Sequence, residues 1–252
     1  MTAGQATAGP GVAGLVLAAG ESSRMGRDKA LLPYRGRTFL ETIVAKLREA
    51  GLPRVAVVLG HHADEIRRAV NLQGVEVVTN RDYLRGQTTS LQAGLAALNN
   101  RPLQREPSGD EESRDSSNFR ARFLAPLGMT QFPKVVQQSI ESDEPKPLDA
   151  VLLCLVDHPA FEPSTVSALV ESFARTAAPV VIPTHGGRRG HPVLIARPLF
   201  EPLLALTEDQ AANSVIRAWS SQTQFVEVAD PGILVDVDDP DAYRALGETE
   251  AI

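Results

Sequence analysis

The sequence predicts an α/β protein built on a mostly parallel sheet, and three observations lead there. Short unbroken apolar runs alternate with segments of helical period, the pattern of strands covered on both faces. The first of these runs, GLVLAA, gives way at once to a loop of small and basic residues. Acidic residues stand at the ends of two later runs, Asp157 after VLLCLV and Asp236 with Asp238 in the final one. In open parallel sheets ligands gather beyond the carboxyl ends of the strands, so these three places are expected to meet.

The elements follow in order. Strand one is read at Gly14 to Ala19. Thr38 with Glu41 is a capping box that starts a helix through Phe39, Ile43, Val44 and Leu47, ended by Gly51 and Pro53. Arg54 to Leu59 reads as a strand, Ala63 to Val70 as a short helix, and Val75 to Thr79 as a third strand. A helix from about Thr89 to Leu98 is entered from Arg85, Gly86 and Gln87. Asn99 to Pro147 changes character, being rich in Arg, Glu, Asp, Ser and Pro with one apolar island at Phe123 to Met129. It reads as a largely disordered insertion, or as a small helical unit around Lys134 to Ser142. Core structure resumes at Ala150 to Val156, and Pro163 suits the first turn of a helix reaching Arg175. Strands are expected at Pro179 to Pro183 and Pro192 to Ala196, a helix at Asp209 to Trp219, and a last strand at Ile233 to Val237 before a helix begun by Pro240. In domain terms, residues 1–12 form a loose leader and 13–252 one domain, interrupted at 99–147.

Composition narrows the function. At 43% hydrophobic and 22% charged the 252 residues are an ordinary globular chain, and a formal charge of −6 argues against a general nucleic-acid binder. Positive charge is local, at Arg24, Arg27, Lys29, Arg35 and Arg37. The single cysteine, Cys154, lies in an apolar run and reads as a packed thiol. The N-terminus lacks a basic region ahead of an apolar stretch, and no apolar run reaches the roughly 20 residues that span a bilayer. A cytoplasmic protein that contacts no membrane is expected.

LVLAAGESSRMGRDK, Leu15 to Lys29, reads as a triphosphate grip: glycine and serine let backbone N–H groups converge on an anion, and Arg24 and Lys29 add charge. A Walker loop needs Gly and Lys adjacent with Ser or Thr next, whereas Arg27 and Asp28 separate Gly26 from Lys29 and Ala30 follows. Gly9, Gly11 and Gly14 have GxGxxG spacing but precede the first strand, so the dinucleotide fingerprint lacks its context. The bland alternative is a glycine-containing loop with a solvated basic patch. Mg²⁺ on a triphosphate needs only one or two protein carboxylates, which Asp157 and Asp238 can supply. Strand alternation puts Asp236 and Asp238 on one face, and Asp238, at the strand end, is preferred. His61 and His62 read as surface residues, while His158, beside Asp157, and His191, between Gly190 and Pro192, are placed to approach a substrate.

LAAGESSRMGRDK, LVDHP, RGHPVL and VDVDDPDAY, in this order, resemble the nucleotidyltransferases that finish the molybdenum cofactor, the cytidylyltransferase branch above all. The resemblance covers most of the chain outside the leader and the insertion. It implies a Rossmann-like nucleotide-diphosphosugar-transferase fold, a three-layer sandwich, joining CTP to molybdopterin with release of pyrophosphate. By motif, Leu17, Ala18, Ala19 and Gly20 border base and ribose, Arg24, Gly26 and Lys29 hold the phosphates, and Asp157 binds magnesium. RGQTTSLQAG resembles the stretch beside the nucleobase, making Gln87, Thr88 and Ser90 candidates for base recognition. GHPVL, with His191 and Pro192, and His158 line the acceptor side. The guanylyl branch typically reads LAGG where this chain has Ala19, which favours CTP over GTP. The insertion departs from the family and raises the alternative of a non-catalytic accessory protein that docks a molybdoenzyme or a chaperone. A sugar-phosphate nucleotidyltransferase is the nearest rival. The attacking phosphate monoester is already anionic at neutral pH, so no catalytic base is required.

Overall fold

A computed structural model describes residues 9–22, 25–99, 148–207 and 210–248. Most of the predicted leader, Arg24 and the insertion beyond Asn99 lie outside the described residues. All described residues belong to one compact unit.

The chain opens with β1 (Val12–Ala18), every residue of it buried. A 3₁₀ turn at Lys29–Leu31 and a small ribbon, β2 (Pro33–Tyr34) with β3 (Arg37–Thr38), lead into α1 (Phe39–Glu49). The capping box forms as read: Thr38 Oγ1 accepts from the Glu41 N–H at 3.2 Å, and Glu41 Oε2 accepts from the Thr38 N–H at 2.9 Å. Next come β4 (Arg54–Leu59), α2 (Ala63–Ala69), β5 (Glu76–Thr79) and α3 (Gln87–Leu98). After the undescribed stretch follow β6 (Ala150–Leu155), α4 (Pro163–Thr176), β7 (Val180–His185), β8 (Arg188–Arg189) and β9 (Val193–Ala196). The described chain ends with α5 (Phe200–Leu204), α6 (Ala212–Ala218), β10 (Thr223–Glu227) and α7 (Pro240–Glu248).

Seven strands run in the order β10-β7-β9-β6-β1-β4-β5, with β8 hairpinned onto β7. All neighbours are parallel except β9, which is antiparallel to β6 and β7, and β8. Alternate residues of β1 feed opposite faces. Val12, Val16 and Ala18 pack with α1, α2 and α4, while Ala13, Leu15 and Leu17 pack with α3 and α5. Two apolar layers therefore sandwich the sheet, which is the predicted three-layer architecture. A third cluster, Leu32, Tyr34, Phe39, Ala160, Val237 and Leu246, closes the carboxyl edge.

One expected strand is corrected. Ile233 to Val237 is no strand: Pro231–Leu234 forms a 3₁₀ turn and the chain runs on as coil. Its backbone groups are used singly, the Ile233 carbonyl by the His191 N–H at 3.0 Å and the Val237 N–H by the Asp157 carbonyl at 2.9 Å. The outer strand is instead β10, whose TQFVE carries too few apolar residues to read as one, because it pairs along one side only, with β7.

Candidate functional site

The strand order reverses at β1, whose neighbours are β4 and β6, and a cavity of about 430 Å³ opens beyond their carboxyl ends. Leu17 to Gly20 form one wall and Leu155 to Asp157 another. The Ala19 carbonyl is held by the His61 N–H at 3.2 Å, which requires β4's exit to pass very close. Only glycine permits it at position 60, where a Cβ would sit 2.6 Å from the Ala19 oxygen and 2.7 Å from Tyr83 Cβ.

Lys29 stands at the charged end. Asp28 caps its 3₁₀ turn through the Ala30 N–H at 2.9 Å, and the Lys29 N–H donates to Ser22 Oγ at 3.0 Å, so the lysine's backbone is fixed from both sides. Its ammonium donates to Asp157 Oδ2 at 3.1 Å and to Asp238 Oδ1 at 2.7 Å, with the side chain 11% exposed. Burial acts to lower the Lys29 pKa, but the Asp238 hydrogen bond and the Asp157 charge outweigh it, so the net shift is upward and the group stays cationic. An ammonium has three hydrogens, and among the described residues two are used by protein acceptors. The third has no acceptor among the described residues.

Asp157 divides its two oxygens. Oδ2 meets Lys29, while Oδ1 is buried with no hydrogen-bond partner among the described residues and faces His158 Nε2 at 4.0 Å. Asp236 Oδ1 lies 3.8 Å from the same nitrogen, and Asp157, His158 and Asp236 each offer a donor atom within 4.8 Å of the others. Burial raises the Asp236 pKa; the charge of His158 opposes this and the Asp157 and Asp238 carboxylates add to it. The ring of His191 packs at 4.7 Å on that of His158. Its pKa is lowered to about 4, first by burial and then by His158, so at neutral pH it is an uncharged imidazole. The segment carrying these groups is pinned: buried Lys46 Nζ donates to the Pro159 carbonyl at 2.9 Å, and buried Asp230 accepts from the Glu162 N–H and the Thr165 hydroxyl, each at 2.7 Å.

The opposite wall comes from the turn before α3 and its first residues: Tyr83, Gly86, Gln87 and Ser90. At the start of this wall buried Asn80 accepts the Asp82 N–H at 2.9 Å and donates to Thr89 Oγ1 at 2.9 Å and Ser90 Oγ at 3.0 Å.

A family profile described as the MobA-like NTP transferase domain matches residues 14–224. The chain belongs to that family. Among relatives, this MobA-like transferase is 21% identical over 235 residues to the molybdenum cofactor cytidylyltransferase of Escherichia coli (strain K12), covering 93% of this chain and 94% of that one. It is 43% identical over 89 residues to the nicotine blue oxidoreductase of Paenarthrobacter nicotinovorans, a match spanning 35% of this chain and 44% of the relative. Its fold superimposes on the crystal structure of Rv0371c from Mycobacterium tuberculosis H37Rv with a TM-score of 0.68 at 25% identity, over 96% of this chain and 100% of the other. A structure of Rv0371c in complex with manganese gives 0.64 at 24% identity, over 94% and 98% of the two chains.

In this MobA-like transferase Leu17, Ala18, Ala19, Gly20, Lys29, Gln87, Ser90, Asp157 and Asp238 all line the one cavity. Thr88 does not: its hydroxyl turns away and donates to the Gln210 carbonyl at 3.0 Å. Gly26 is also off the wall, and its φ of +66° serves the turn itself. Asp236 and Asp238 diverge because the segment is coil, Asp236 toward His158 and Asp238 toward Lys29, so the one-face reading by strand alternation fails. His191 and the cis-bonded Pro192 lie behind His158. His62 is exposed, and His61 is half-buried against Tyr83, with its Nδ1 3.1 Å from the phenol oxygen. Sequence reading passed over Ser22, Asp28, Asn80 and Tyr83. Of these only Asp28, beside Lys29, carried a signal, as an N-cap to the turn. No described helix is long and apolar enough to cross a membrane.

Proposed function

We propose that this protein transfers CMP from CTP to the terminal phosphate of molybdopterin, releasing pyrophosphate. The observation that carries the reading is the cavity itself, whose small-residue wall at Leu17 to Gly20 leads to a lysine held cationic between two carboxylates. Family membership and the full-length likeness to a molybdenum cofactor cytidylyltransferase support it.

The acceptor phosphate already carries the attacking oxyanion, so the barrier is repulsion between anions and the cost of alignment. Lys29 answers the first: its third N–H and its charge meet the triphosphate, and the two carboxylates fix its direction so that little reorganisation is needed during transfer. Walls of small residues at Ala18 to Gly20 let base and ribose approach the backbone. Neutral His191, behind His158, leaves the acceptor side without a further positive charge. The buried, unpartnered Asp157 Oδ1 together with Asp236 offers the one or two carboxylate oxygens that Mg²⁺ takes from protein, and Mg²⁺ is the ion named by this proposal. Bound there, the ion would supply charge neutralisation for the phosphates.

The test is pyrophosphate release from CTP, from GTP and from neither, with molybdopterin or sugar phosphates as acceptor. Release from CTP with molybdopterin alone is expected. Release from GTP only, or only with a sugar phosphate, overturns the assignment of nucleotide or acceptor, and tight CTP binding without turnover returns the chain to an accessory role.

A further inference from the structure

We propose that Asn80 is the positioning residue for base selection and acts through Ser90, making the cavity present a hydroxyl donor to the nucleobase; this rests on the nucleotidyltransferase reading above. The argument is one of polarity. Asn80 follows β5 directly and is 4% exposed. Its Oδ1 accepts from the backbone N–H of Asp82, a group that can only donate, so the other end of the amide must be the NH₂. That NH₂ has two hydrogens, and both are spent, on Thr89 Oγ1 at 2.9 Å and on Ser90 Oγ at 3.0 Å.

Both hydroxyl oxygens are therefore acceptors toward Asn80, and each must send its own hydrogen elsewhere. Thr89 has outlets within its own turn, the carbonyls of Asp82 at 3.0 Å and Gly86 at 2.9 Å. Ser90 accepts from Asn80 but donates to no described residue, and it lies on the cavity wall at 4% exposure. A buried hydroxyl hydrogen without an acceptor costs free energy that a ligand acceptor recovers. Ser90 and Lys29 line the same cavity, and with the triphosphate assigned to Lys29 the base is assigned to Ser90. Cytosine offers two adjacent acceptors, N3 and O2, whereas guanine turns N–H donors outward from the matching part of its edge. The Ser90 hydrogen thus finds an acceptor on cytosine and none on the matching part of guanine.

Two variants separate this from a structural role. Ser90→Ala removes the donor. Asn80→Asp keeps the Asp82 contact but, ionised at slightly alkaline pH, replaces the donating NH₂ by an acceptor that captures the Ser90 hydrogen. Calorimetric titration with CTP, GTP and inorganic tripolyphosphate, each with excess magnesium, is expected to show the Kd for CTP rising about tenfold in either variant. Tripolyphosphate should stay within about twofold, and the double variant should be no weaker than the single ones, because Asn80 acts only through Ser90. Circular dichroism checks that Asn80→Asp folds, and Ser90→Ala carries the test if it does not. Unchanged CTP affinity in Ser90→Ala, or a parallel loss of CTP and tripolyphosphate binding, overturns the proposal. Wild-type protein that binds neither CTP nor tripolyphosphate counts instead against the nucleotidyltransferase reading.

Discussion

Replacing Lys29 by Met removes the ammonium while keeping an unbranched chain of similar length, so packing against the loop is nearly preserved and charge alone is tested. The ammonium lies 2.7 Å from one carboxylate and 3.1 Å from another, which fixes its position before substrate arrives. Loss of one pre-positioned electrostatic group of this kind costs on the order of 10²–10³ in turnover. The stability cost should be smaller. Asp238 is 53% exposed and Asp157 24%, so solvent screens both pairs and about 1 kcal/mol is expected, or roughly 2–4 °C in Tm for a chain this long. Continuous pyrophosphate release from CTP, read beside a far-UV circular dichroism melt, separates the two effects. A Lys29→Met protein that melts normally and retains kcat/KM within about tenfold of the wild type would refute the electrostatic role.

Further outcomes follow from other contacts. Asp157→Ala should lose on the order of 10²-fold or more in turnover, and near-normal pyrophosphate release from the folded variant would remove Asp157 from the chemistry. Gly94→Ala should destabilise by about 1–2 kcal/mol despite alanine's better helix propensity, because its Cβ would meet Leu15 Cδ1 at 2.3 Å and Val58 Cγ2 at 2.9 Å in a full core; a raised Tm would contradict this. Burial opposes ionisation of Glu41, but the N–H groups of Thr38 and Asn71 and the Thr38 hydroxyl prevail and hold its pKa below the usual 4.5. A depressed carboxylate pKa stabilises above the unfolded value and ceases to as pH falls through the folded one. Glu41→Gln should therefore cost about 1 kcal/mol at neutral pH, and the gap to wild type in urea midpoints should close in acid. A gap independent of pH would exclude the charged cap.

What the sequence revealed was whatever local pattern encodes. β4 was read to the residue, the Thr38–Glu41 box from its spacing, and the start of α4 from the suitability of Pro163 for a first turn. Lys29 and Asp157 were legible because a loop and a strand end announce themselves chemically, although 128 residues separate them. Ile233 to Val237 misled because its apolar residues pack into the core while its backbone bonds singly to His191 and Asp157 and forms no ladder. β10 was hidden by polarity, as an outermost strand needs little apolar surface. Asn80 gave no sign at all: after a strand it reads as an ordinary turn residue, and its meaning comes from hydroxyls nine and ten positions on. Thr88 was grouped with Ser90 by adjacency, yet two helix positions differ by about 200° in direction and only one can face the cavity.

The anchorage of the chain between Asp230 and Asp238 bears on how this protein should fail. The stretch has no strand ladder: buried Asp230 ties it to the entry of α4, single backbone bonds tie it to His191 and Asp157, and Ile233 and Val237 are buried, yet it delivers Asp238 to the cavity wall and Asp236 to His158. On warming, this strap should slip its mooring while the sheet is still intact, so that catalysis fades ahead of the melt. The fuse of the molecule is thus set apart from its frame.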